Sequence, residues 1–184
     1  MNHQRNSTIK GQLLIESFVA ISIAVVGLLG IITLLSRSLS LNRLIANQYI
    51  ANHLAAEGIE IIKNSIDANI MRGFPWNQGL SDGAYEVAGT HTADSVFINY
   101  RGGGTSCDGV ASGRQLSFND TYRTYVYGVA DSLVPFKRCV EVRSIVASST
   151  DTVEELAVSS RVFWSDLGGA EFDIVVEDHF LNWR

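Results

Sequence analysis

Residues 17–36 read SFVAISIAVVGLLGIITLLS, twenty positions without a charged side chain, closed by Glu16 before and Arg37 after. A helix rises about 1.5 Å per residue, so the run spans roughly 30 Å, the thickness of a bilayer's hydrocarbon core. A helix also satisfies every backbone polar group internally, as lipid demands. One membrane span is therefore expected. A buried core helix and a cleaved secretory signal are the alternatives, but the run is long for either and no convincing A-x-A site follows it.

Working outward, Arg5 and Lys10 precede the span and Arg37 and Arg43 follow it. The count ties, but the amino terminus and the lack of any acid before Glu16 tilt the positive side toward the N-terminus, which places that end in the cytoplasm. Glu16 follows Leu13, Leu14 and Ile15 and so stands within the edge of the apolar segment. A carboxylate there either snorkels to the headgroups, for which glutamate has a short stem, or serves a function and needs a partner.

Beyond Arg37 the residues Leu41, Leu44, Ile45, Tyr49, Leu54, Ile59, Ile62 and Ile66 recur at threes, fours and fives, and no proline occurs before Pro75. One helix from about residue 13 to about residue 66 is expected, about 80 Å long at the standard rise. Its second half is amphipathic and should lay the apolar stripe on a soluble head, with Asn42, Asn47, Asn52 and Lys63 facing elsewhere. Glu57 and Glu60 read as solvated surface or as subunit contacts.

Between residues 67 and 120 glycines break the periodicity, leaving a loop-rich region with short strands at 85–88 and 95–101. Gly102, Gly103 and Gly104 are not a phosphate loop, since no Gly-Lys-Ser/Thr follows. Residues 122–129, 136–146, 153–164 and 171–180 then alternate with a period near two, separated by turn chemistry at 148–151 and 166–169. The expected fold is α+β: a long N-terminal helix, half transmembrane and half amphipathic, packed on a C-terminal antiparallel sheet of three or four strands. Trp164 and Trp183 are expected to pack rather than to bind a ligand.

Composition narrows the function. Of 184 residues 18% are charged, 46% are apolar and 2 are proline, which excludes a disordered tail, a collagen-like chain and a disulfide-dense miniprotein. Fourteen Lys and Arg against nineteen Asp and Glu give a charge of -5 with no basic run, so sequence-specific nucleic-acid binding is not expected. His3, His53, His91 and His179 are scattered, and neither a nucleophile elbow nor an HExxH motif occurs. No enzyme, metal or cofactor is expected. Cys107 and Cys139 admit one disulfide or two free thiols; on the non-cytoplasmic side a bridge would persist and, closing a loop of this length, stabilise by roughly 3 to 4 kcal/mol.

Residues 10–17, KGQLLIES, with a short basic leader before them and the uncharged run after, resemble the class III signal of type IV prepilins and pseudopilins. The resemblance implies that a membrane prepilin peptidase cuts between Gly11 and Gln12 and methylates the new terminus, and that Glu16 is the assembly residue. Residues 51–64, ANHLAAEGIEIIKN, and the end of the chain from Val162 are similar to a minor pilin-like subgroup. Two features depart from the family: Gln12 stands where Phe or Met is commoner, and the helix has no proline. The family's usual C-terminal disulfide loop is not reproduced in position.

On this resemblance the chain divides into a leader (1–11), a transmembrane and assembly helix (12–36), an amphipathic helix half (37–66), a loop-rich region (67–120) and an antiparallel sheet (121–184). Its implied role is a minor pilin or pilin-like structural subunit of a type IV pilus filament. Its implied partners are the prepilin peptidase, other pilin subunits, the membrane, and an assembly platform with its ATPase. The protein would wait in the cytoplasmic membrane as a single-pass subunit and end in a periplasmic or extracellular filament. The physics fits: a new amine at Gln12 can neutralise Glu16 of a neighbouring subunit in a low-dielectric setting, where a lone carboxylate is costly. A type II secretion pseudopilin, and an unprocessed membrane-anchored adhesion module, remain the alternatives.

Overall fold

The computed structural model describes residues 6–89, 96–100, 106–107, 114–121, 123–127, 132–146, 153–166 and 168–182. Among the described residues it is an α+β chain with one helix, α1 (Asn6–Met71), followed by an antiparallel sheet. The chain divides into two compact units, Met1–Ala46 and Asn47–Arg184.

Within the first unit α1 is apolar and bare. Large hydrophobic side chains from Leu13 to Leu35 are exposed, Phe18 by 74% and Leu34 by 69%. The hydroxyls of Ser17, Ser22 and Thr33 donate to the carbonyls four residues earlier, Leu13, Phe18 and Leu29, each at 2.8 Å. Polar groups in this stretch are thus satisfied without water, and α1 is long and apolar enough to cross a membrane.

The second unit sets the rest of α1 against seven strands: β1 (Gly83–Gly89), β2 (Val96–Tyr100), β3 (Gln115–Asn119), β4 (Thr124–Tyr127), β5 (Ser132–Val146), β6 (Val153–Ser165) and β7 (Glu171–Leu181). β5 is the axis. One of its edges pairs with β6 from Phe136 to Val146. The other is shared, with β1 against Val140–Val142 and β3 against Ser132–Lys137. β2 and β4 extend β1 and β3, and β7 pairs with β6. The β3–β5 register shifts between Gln115 and Ser117, beside Pro135, which has no N–H to give the ladder.

Alternation assigns the faces. Phe136, Arg138, Val140 and Val142 of β5 lie on the covered face with Leu156, Val158, Ser160, Val162 and Trp164 of β6. Two apolar clusters fill the seam with α1. Ile59, Ile62 and Ile66 meet Tyr85, Val87, Val140, Val142, Leu156 and Val158, while Ala51, Leu54 and Ala55 meet Leu116, Phe136, Val162 and Trp164.

Three expectations need correction. The apolar stripe does not reach the head along its whole length: Leu41, Ile45 and Tyr49 are exposed, Tyr49 by 66%. Ile50 packs partly buried, and the fully buried face begins at Ala51. The helix ends at Met71 rather than near Ile66, where a Schellman motif stops it. Gly73 takes a left-handed φ of 75°, its N–H donates to Ile70 at 3.1 Å, the Phe74 N–H donates to Asn69 at 2.9 Å, and Pro75 follows. The sheet has seven strands rather than three or four, because the loop-rich region contributes β3 and the two short strands expected there.

Candidate functional site

At the start of the bare half of α1, Gly11, Gln12 and Glu16 are all exposed. Apart from the neighbouring helix backbone, no described atom lies within 4 Å of where a Gly11 side chain would begin. Among the described residues no cation pairs with Glu16. Arg5 lies outside the described residues. The arrangement is a carboxylate at the entrance to a long apolar surface, able to meet lipid or other helices.

The opposite side of the sheet from α1 is tied down by Cys107 and Cys139, which form a disulfide with Cα atoms 5.9 Å apart. Cys139 is fully buried, and the Cys107 N–H donates to Glu141 Oε2 at 3.2 Å. Nearby, buried Glu86 accepts from the Arg114 backbone N–H at 3.2 Å and from its Nε at 2.7 Å. Cys107 and Arg114 are therefore each held to the sheet.

The seam holds a residue that sequence reasoning missed. Arg138 is 1% exposed, yet its position between Phe136 and Val140 puts it on the covered face of β5. Its Nη1 donates to the Leu54 carbonyl at 2.9 Å and lies 3.1 Å from Glu57 Oε2, and its Nη2 donates to the Val87 carbonyl at 2.6 Å. One guanidinium thus joins α1, β1 and β5, in the forked geometry that arginine supplies. The Tyr127 hydroxyl donates to the Arg138 carbonyl at 2.8 Å, and burial pushes that phenol up while the Arg138 charge pulls it down. The signal was in the sequence: a charge at an inward position of a period-two strand.

Gly58 explains how α1 gets so close. A methyl there would overlap Ser160 Oγ and come within 3.0 Å of Val140 Cγ2 and 3.3 Å of Arg138 Cδ. A mid-helix glycine costs roughly 1 kcal/mol relative to alanine, so close approach is what it serves here. Glu57 is drawn into the seam by Arg138, whereas Glu60 is exposed.

Aromatic and histidine positions divide in the same way. Trp164 packs with Phe172, rings stacked at 5.6 Å, and with Phe136. Trp183, His3 and His91 lie outside the described residues, as does the triplet Gly102 to Gly104. His53 meets Tyr49 edge-on. His179 stands between Glu155 and Glu177. Among the described residues no three His, Cys, Asp or Glu side chains gather as a metal site.

An open groove of about 870 Å³ lies where α1 ends, lined by Ile70, Met71, Phe74 and Trp76 on one side and by Phe180 and Leu181 of β7 on the other. Lys63, Asp67 and His179 border it. Comparison of the chain with family models, with curated proteins and with solved structures finds no match.

Proposed function

We propose that this protein is a pilin-like structural subunit of a type IV filament, most simply a minor pilin, cut between Gly11 and Gln12 and assembled by packing of its N-terminal helix. The observation that carries the reading is Glu16 at the entrance of an exposed, uncharged helical surface, five residues after Gly11. Before assembly lipid covers that surface, and afterwards the helices of neighbouring subunits do. Removing the leader takes away Arg5 and Lys10, which resist burial, and leaves an amine to neutralise a neighbour's Glu16. Pairing of this kind favours one axial register, because a slipped helix leaves a carboxylate unpaired in a low dielectric. The second unit supplies the outward surface.

Mass analysis of the N-terminus tests the processing step: the protein purified from membranes should begin at Gln12 and carry one added methyl. An intact Met1 would return the chain to the class of anchored binding modules. Glu16→Ala should leave processing unchanged and sharply reduce entry into purified filaments. Entry at the wild-type level and order would show that Glu16 does not select or align subunits.

A further inference from the structure

Among the described residues the end of β7 is at once a sheet edge and one wall of the groove, and His179 belongs to both. Among the described residues β7 pairs with β6 alone. His179 places Nδ1 against Glu155 Oε1 of β6 and Nε2 at 3.1 Å from Glu177 Oε1 of its own strand. Its backbone N–H donates to Asp178 Oδ1 at 2.9 Å; its cross-strand partner is Ala157, so the ring stands with Glu155 and Glu177 on the sheet face away from α1, while Lys63 and Asp67 of α1 line the groove beside Phe180. A little further on, the Asn182 N–H donates to the Glu154 carbonyl at 2.7 Å. A neutral imidazole offers one N–H and one lone pair, while ionised carboxylates only accept. Carboxylates at both ring nitrogens therefore suit the imidazolium, since the neutral ring must turn a lone pair toward one of them.

We infer that His179 is a protonation-controlled latch: as imidazolium it ties Glu155 of β6 to Glu177 of β7 and fixes the strand end that walls the groove, and on losing its proton it lets that end loosen. The latch does not depend on the filament reading. Its direction follows from the surroundings. The hydrogen bond to Glu155 raises the His179 pKa most, desolvation opposes it, and Glu177 adds to the rise. With the folded value above the ordinary 6.5, the latch is fully engaged below 6.5 and is lost as pH rises through the raised folded value.

The test uses the full-length protein in detergent micelles, with histidine rings followed by isotope-edited NMR and His179 assigned by its absence in His179→Gln. The expected result is a His179 midpoint above 6.5 that falls in Glu155→Gln, together with amide-exchange protection at residues 179–182 that drops roughly two- to fivefold across that midpoint, the scale of an exposed ion pair. In His179→Gln the same protection factors should stay flat with pH. A midpoint at or below 6.5, protection that ignores pH in the wild type, or an equal drop in His179→Gln would each overturn the latch.

Discussion

The two halves of α1 share one backbone conformation and differ in what their side chains are for. From Leu13 to Leu35 bulky apolar residues project all round and are exposed. From Ala51 to Ile66 the buried positions fall on one face, and three of them, Ala51, Ala55 and Gly58, are small. A helix meant for lipid or for like helices needs only to be greasy. A helix meant for one particular sheet must leave room for it, and α1 leaves that room at Gly58.

The largest effect in this contrast should come from Arg138→Met, which strands the Glu57 carboxylate and the Leu54 and Val87 carbonyls of the seam. A loss of about 3 kcal/mol or more is expected, in the range for breaking a buried pair. Chemical unfolding of the detergent-solubilised protein, read by near-UV circular dichroism, measures it. In the other half, Leu28→Arg should cost about 2.5 to 3.5 kcal/mol of membrane insertion while leaving that unfolding midpoint alone. Alkaline extraction of membranes should then release more of the variant than of the wild type. A Leu28→Arg protein that unfolds more easily would mean that the halves are not independent.

The glycines give the smallest and most pointed comparison. Gly58→Ala should destabilise the second unit by about 1 to 3 kcal/mol through overpacking against Ser160 and Val140. Gly27→Ala meets nothing within 4 Å and should be neutral or favour the helix by up to about 1 kcal/mol. The same methyl added to the same element would then act with opposite sign.

Much of this was legible in the sequence because it rests on local period. The uncharged run announced the bare half of α1, and alternation located β5, β6 and β7 to within a few residues. What escaped depends on distance partners. The stripe through Leu41, Ile45 and Tyr49 has the same spacing as the packed one, and only the position of the sheet decides which part is covered. Ala51, Ala55 and Gly58 carry little hydropathy, so the closest contacts left the weakest mark. β3 is five residues long among glycines, too short for period two to stand out. Arg138 was visible as a charge out of place, but its acceptors lie on two other elements. At the N-terminus the resemblance singles out Gly11, Gln12 and Glu16, and among the described residues no ion pair marks Glu16.

The hydrogen bond from Arg138 to Leu54 closes a separation of 84 residues. Synthesis runs from the N-terminus, so Leu54, Ile62 and their neighbours leave the ribosome long before β5 exists to shelter them. Contacts of such long range also form slowly, because the intervening chain must first give up its freedom. For that interval the nascent chain carries two greasy surfaces instead of one, and whichever escort receives the first must keep the second from sticking to it.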